Sequence, residues 1–214
     1  MCLRSIFIPH RRAAAHGVCS KNNFMKIRNR HGHFNLIAPF YDKIFGSMRH
    51  DLLLQHLEAR PGDLLLDIGG GTGRVAQHLA PAGVTTIVVD PSPSMLKSAR
   101  EKALPGVRAL AEQLPFATDS IPRILIVDAF HHFAQQELAA RELVRVLQPG
   151  GRLVIEEPDL RTTGAKVIAI LEKVALMQTH FIAPPEMADL FVGFGARLIA
   201  IDTENINAQI VLTK

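Results

Sequence analysis

The stretch Asp67-Ile68-Gly69-Gly70-Gly71-Thr72-Gly73 places four glycines in five positions directly after an apolar run at 64–66. Fixing glycine costs backbone entropy, and what it gives in return is bare main chain that another group can approach. At the start of a helix, that main chain presents N–H groups and a positive dipole end to an anionic or strongly polar ligand. Asp90 closes the next strand-like run, "VTTIVVD". An acid roughly twenty residues beyond such a loop can accept hydrogen bonds from both hydroxyls of a ribose. The loop and the acid together point to a nucleoside-containing ligand.

Two spacings compete within the loop. Residues 71–76, Gly-Thr-Gly-Arg-Val-Ala, fit G-x-G-x-x-G/A, the dinucleotide fingerprint. Residues 67–73 fit D-x-G-x-G-x-G. Either match alone is weak, so the surrounding elements and later motifs must decide.

Those elements alternate. "DLLLDIG", "VTTIVVD", "VRALA", "RILIVDAF" and "GRLVIEEP" read as strands, the longer apolar ones as strands buried on both faces. Between them "GRVAQHLAPAG", "SPSMLKSAREKAL" and "QQELAARELVRVLQPGG" read as helices, the second with Ser92 or Ser94 as N-cap. "GAKVIAILEKVALMQTHF" and "EMADLFVGFG" are two further helices, and "ARLIAIDT" and "AQIVLTK" two last strands joined by the polar turn "ENIN". Ahead of the glycine loop, "FNLIAPFYDKIFGSMRHDLLLQHLEARPGD" reads as one or two amphipathic helices. The expected fold is α/β: a doubly wound, mostly parallel, seven-stranded Rossmann-like sheet ending in an antiparallel C-terminal hairpin. Ligands of such sheets bind outside the carboxyl ends of the strands, where the glycine loop lies.

The 214 residues carry 48% hydrophobic and 21% charged side chains, and no apolar run reaches the ~20 residues that span a bilayer. Charge is unevenly placed. Seven Lys or Arg and no acid precede Asp42, leaving 17 basic against 20 acidic residues in the remainder. No nucleic-acid partner is expected of that remainder. Residues 1–33 read as a basic extension: an unstructured arm, a tail for an anionic surface, or an organelle-targeting segment. Residues 34–214 read as the domain. Both cysteines, Cys2 and Cys19, lie in the arm, so the domain has no disulfide, Cys nucleophile or CxxC metal site. That composition suits a cytoplasmic protein.

The later motifs fall in a recognisable order. "IVVDPSPSMLKSA" supplies an acid and a Ser-x-x-Met-Leu helix start, and "AEQLPFATDS", "LIVDAFHHF" and "RELVRVLQPGGRLVIEEPD" follow. With D-x-G-x-G-x-G, these resemble the five motifs of class I S-adenosylmethionine (SAM) dependent methyltransferases, across residues 34–214. "FYDKIF" resembles the Tyr-Asp lid helix of the type-11 and menaquinone/ubiquinone-biosynthesis groups. There are departures. Leu110 stands where relatives have an acid for the adenine amine, Pro122-Arg123 replaces Phe-Asp, Lys43-Ile44-Phe45 follows Tyr41-Asp42, and Gln148 replaces a Lys. The first implies a less polar adenine contact through the Ala111 amide, and the last two bear on a quinone acceptor, not on the reaction class.

The resemblance implies SAM as cofactor and a small, apolar or aromatic acceptor, a quinone precursor among the candidates. It implies cofactor contacts from Asp67, Gly69, Gly71, Thr72, Gly73, Asp90, Pro91, Met95, Ala111, Glu112 and Asp128. Asp67 would orient the loop or reach the donor's amino group. Glu112 would meet adenine or cap the next turn, and Met95 would pack on adenine or in the core. Catalytic candidates are His131, His132 and Tyr41. A histidine there could take a proton near neutral pH, or the pair could line the cleft or face solvent. No metal is expected, since adjacent histidines point apart on an extended chain and no matched ligand spacing follows. Of Glu156, Glu157 and Asp159, one is expected to face the acceptor and the others solvent. Ile168, Leu171, Val174, Met177 and Phe181 would line the acceptor pocket or simply pack the core. Two other readings stand: an NAD-dependent oxidoreductase, for which no Tyr-x-x-x-Lys pair follows, and a non-catalytic SAM-binding protein.

Overall fold

The buried apolar runs form the strands of a seven-stranded sheet, ordered β3-β2-β1-β4-β5-β7-β6. The computed structural model describes residues 50–79, 82–162, 180–204 and 206–214. In chain order its elements are α1 (His50–Leu57), β1 (Leu64–Ile68), α2 (Ala76–Leu79), β2 (Thr85–Val89), α3 (Pro93–Glu101), β3 (Gly106–Val107) and β4 (Ile121–Val127). A 3-10 turn (Phe130–His132), α4 (Gln136–Val146), β5 (Leu147–Pro158), α5 (Pro184–Val192), β6 (Arg197–Glu204) and β7 (Asn207–Thr213) complete it. β1 to β5 pair in parallel, and β7 runs antiparallel to both β5 and β6. Among the described residues, no helix is long and apolar enough to cross a membrane.

Strand periodicity sorts the core onto two faces. On one, Leu53 and Leu57 of α1 pack on Leu65, Leu125, Val127, Val154 and Val211. On the other, Leu66, Ile124, Ile126, Ile155 and Ile210 pack with Phe130, Leu143 and Phe191. Each such buried side chain contributes about 1.5–3 kcal/mol by its removal from water. The winding reverses between β1 and β4, and the loops leaving those two strands bound the crevice where ligands of this architecture lie.

Two elements differ from expectation. The helix after the glycines begins only at Ala76, because Gly71 and Gly73 take φ values of +56° and +73° and hold 71–75 in turns. The third strand keeps two residues, Gly106–Val107, with a separate bridge between Leu110 and Gln113. Of the two candidate N-caps, Ser92 is the one used: its Oγ accepts the Met95 amide at 3.3 Å.

Candidate active site

The four glycines have different reasons to be glycine. A Cβ on Gly69 would lie 2.6 Å from the Ala129 Cβ, one on Gly70 2.4 Å from Asp67 Oδ2, and one on Gly73 2.4 Å from Leu104 Cδ1. These three permit the loop to seat on the turn after β4, on its own leading acid, and on the end of α3. A Cβ on Gly71 would meet nothing nearer than Met95 Sδ at 3.7 Å. The main chain at Gly71 is thus bare without a packing reason, and its open side is where a ligand has room.

Asp90 anchors this open point. Its Oδ2 accepts the Gly71 amide at 3.1 Å and its Oδ1 the Ser92 amide at 2.7 Å. Burial raises its pKa to about 6, against the two amides, which lower it. Asp67 is buried beneath the loop, and its Oδ2 has no hydrogen-bond partner among the described residues. Burial pushes its pKa to about 7; Arg74 opposes that rise and Asp90 adds to it. Of its two expected roles, orienting the loop fits its place under Gly70.

Met95 is buried at the start of α3, facing Gly71. Thr72 is buried and its Oγ1 accepts from Lys102 Nζ at 3.4 Å, while the Pro91 carbonyl accepts from Arg108 Nε at 3.1 Å. Ala111 is buried in the segment facing α4. Glu112 Oε1 accepts the Gln135 amide at 3.1 Å, ahead of α4, a contact with a segment 23 residues away rather than with the turn that follows Glu112.

The end of β4 carries strain. Asp128 takes φ +50°, and its Oδ2 accepts from Arg74 Nη2 at 3.3 Å. Burial first, then Glu157, raises its pKa to about 7, with Arg74 pulling the other way. The following residues turn tightly, which corrects the expectation of an extended pair of histidines. His131 and His132 lie on the 3-10 turn with ring centroids 4.0 Å apart. His131 does not face solvent: it is 2% exposed, its ring stacked on Phe181 at 4.3 Å and 16°.

The acids ending β5 are not solvated either. Glu156, Glu157 and Asp159 are all buried, because β7 and the 129–133 turn close over that strand end. Glu157 Oε1 accepts the Ala129 and Phe130 amides at 2.9 and 2.7 Å, and its Oε2 bonds His131 Nδ1. Glu156, whose side chain lies on the opposite face, bonds Gln209 Nε2 at 2.5 Å and Asn207 Nδ2 at 3.2 Å. Asp159 holds Arg161 through paired contacts of 2.7 to 3.0 Å.

Tyr41, the lid segment, the 33/34 boundary and the pocket positions Ile168, Leu171, Val174 and Met177 lie outside the described residues. Sequence reasoning missed Arg74, the cation that meets Asp128, although it stands inside the fingerprint itself. It also missed Glu157 as the partner of His131. The strand alternation already places Glu156 and Glu157 on opposite faces, so only one could reach the turn after β4.

Residues 66–155 match a family model described as a methyltransferase domain. A demethylmenaquinone methyltransferase of Mycobacterium sp. (strain KMS) is 34% identical over 128 residues, which are 60% of this chain and 53% of the relative. An uncharacterized methyltransferase of Mycobacterium bovis is 40% identical over 92 residues, 42% of this chain and 37% of the relative. The chain thus spans about half the length or less of these relatives. A SAM-dependent methyltransferase of Thermotoga maritima superposes with a TM-score of 0.65 at 21% identity, covering 90% of this chain and 98% of that one. The cyclase SpnF superposes with a TM-score of 0.68 at 15% identity, covering 85% and 94%. A methyltransferase and a cyclase thus share this fold, so the chemistry has to be argued from the site.

Proposed function

We propose that the chain is a SAM-dependent methyltransferase acting on a small, apolar or aromatic acceptor. The observation that carries this is the bare main chain at Gly71, open on one side and tied to Asp90, within residues 66–155 that match a methyltransferase-domain model. The residues present suit the donor. Gly71 and the Asp90 carboxylate can receive a ribose, Met95 offers an apolar surface beside it, and the orphaned Oδ2 of Asp67 suits a cationic end group. When bound, SAM supplies a methyl group on a sulfonium, which carries its own driving force. The chain's task is then to hold donor and acceptor in line and to keep water out.

Phe181, stacked on His131, and half-buried Ile182 offer apolar surface beside the turn after β4 for the acceptor. A quinone precursor is supported by the name of the mycobacterial relative and opposed by the departures at Lys43 and Gln148. Calorimetry with S-adenosylhomocysteine and with NADH tests the donor. Micromolar binding of the first and none of the second is expected, and the reverse would replace this reading with an oxidoreductase.

A further inference from the structure

The carboxyl ends of β1, β2, β4 and β5 bring five acids to one crevice: Asp67, Asp90, Asp128, Glu156 and Glu157. Asp128 is half-buried and the other four are buried. Three of them are fully engaged within the fold. Asp90 accepts the Gly71 and Ser92 amides, Glu156 the Gln209 and Asn207 side-chain amides, and Glu157 the Ala129 and Phe130 amides beside His131 Nδ1. Asp67 and Asp128 differ. Asp67 Oδ2 has no partner among the described residues and lies under Gly70, one residue before the open main chain of Gly71. Asp128 meets Arg74, whose charge also acts on Asp67 and Glu156. Of the other basic groups at these loops, Lys102 meets Thr72 Oγ1 and Arg108 the Pro91 carbonyl. Among the described residues, acids thus outnumber cations at this end of the sheet. Gathering like charges away from water is costly, and without a ligand the cost is relieved by keeping protons: Asp67 and Asp128 are both raised to about 7. A cationic ligand relieves it in another way, by letting the carboxylates ionise. SAM and S-adenosylhomocysteine differ by one methyl group and by the sulfonium charge, so the surplus of acid acts on that difference.

We propose that this acidic crevice selects its ligand by charge: it holds the cationic donor, releases the product with its neutral sulfur, and Arg74 sets the margin between them. This rests on the SAM reading above. Methyl transfer takes the positive charge off sulfur, so the ligand loses its attraction to Asp67 and Asp128 as product forms. Arg74 already supplies part of the compensation and narrows the margin, whereas each acid widens it. The titratable and charged groups facing these two acids are Arg74 from the glycine loop, Asp90 from the end of β2, Glu156 and Glu157 from β5, and His131 from the turn after β4.

The test is calorimetry on the full chain with SAM, S-adenosylhomocysteine and sinefungin, which carries an ammonium at the place of the SAM methyl. Sinefungin separates the charge from the methyl contact. At pH 7.5 SAM and sinefungin should each bind about tenfold or more tightly than S-adenosylhomocysteine. At pH 6 that margin should shrink, because the acids keep their protons. Asp67→Asn and Asp128→Asn should narrow the margin at pH 7.5, and Arg74→Met should widen it. The affinity for S-adenosylhomocysteine should change less than that for either cation. Opposite signs from the two sides of one ion pair do not arise from general damage to the loop. Melting curves check that each variant folds, and the near-isosteric Asn variants carry the test if Arg74→Met does not. Equal affinity for all three ligands, S-adenosylhomocysteine binding more tightly than sinefungin at pH 7.5, or a margin that moves the same way in Asp128→Asn and Arg74→Met would each overturn the proposal. Binding of none of the three would instead remove the donor reading, and the charge selection with it.

Discussion

Gly69 and Ala129 touch so closely that a Cβ on the first would lie 2.6 Å from the Cβ of the second. The loop after β1 and the turn after β4 are thereby locked together across the point where the sheet reverses its winding. The glycine loop and the turn that carries His131 are parts of one packed arrangement.

Gly69→Ala and Gly71→Ala therefore separate packing from binding. Both residues have positive φ, +71° and +56°, which costs an alanine about 1–2 kcal/mol. Only Gly69 adds a clash, and forced overpacking costs roughly a further 1–3 kcal/mol. Gly69→Ala should lower the melting temperature clearly more than Gly71→Ala. Gly71→Ala should lose the S-adenosylhomocysteine-induced shift, and retention of that shift would show that the open side of Gly71 is not the ligand side.

Asp90→Ala should weaken S-adenosylhomocysteine binding by roughly 1.5–3 kcal/mol, the range for hydrogen bonds to a charged group. The variant also releases the Gly71 and Ser92 amides, so a modest loss of stability accompanies it. Asp90→Asn keeps one acceptor and should fall between the two. An unchanged dissociation constant by calorimetry would remove Asp90 from the site.

The buried acids give the ligand-free protein a distinct pH dependence. Asp67, Asp90 and Asp128 have pKa values raised to about 7, 6 and 7 by burial, well above the ~4 of an unfolded chain. Between those limits the folded state binds more protons than the unfolded state, so stability falls as pH rises. It is fully present below about pH 4 and is lost as pH climbs through 6 to 7. Melting curves without ligand should therefore drop from pH 5 to pH 8, and Asp67→Asn should flatten the decline. A cationic donor bound beside these carboxylates should lower their pKa values, so SAM should bind more tightly at pH 8 than at pH 6. Identical slopes for wild type and Asp67→Asn would show that Asp67 does not ionise differently on folding.

The sheet was readable because each strand is an apolar run bounded by Gly, Pro or Asp, a pattern set by local chemistry. The edge hairpin was readable because no helical pattern separates "ARLIAIDT" from "AQIVLTK". The burial of His131 and Glu157 was not. It depends on β7 inserting between β5 and β6 and on Phe181 returning over the turn, contacts between segments more than 25 residues apart in sequence. The bond from the Gln135 amide to Glu112 was not legible either, since it joins positions 23 residues apart.

Arg145 of α4 clamps the segment between the Leu110–Gln113 bridge and β4. Its Nη1 donates to the Phe116 carbonyl at 3.1 Å and to Thr118 Oγ1 at 3.2 Å, and its Nη2 to the Leu114 carbonyl at 3.3 Å. Glu142, one helical turn earlier, accepts from Arg145 Nε at 2.6 Å and from the Leu114 amide at 3.0 Å. Burial would raise the Glu142 carboxyl, but the Arg145 and Leu114 bonds outweigh it and hold the group below its usual range. Five planar donors do this, so Lys cannot replace Arg here. Arg145→Lys should leave global stability nearly intact, because the pair is partly exposed and such pairs contribute about 0–1 kcal/mol. It should speed amide exchange at Leu114 and weaken S-adenosylhomocysteine binding several-fold, since the loop carrying Ala111 and Glu112 would no longer be held against α4. If exchange at Leu114 stays slow, Pro115 and the buried Phe116 ring anchor the loop by packing alone, and the guanidinium is only a surface contact.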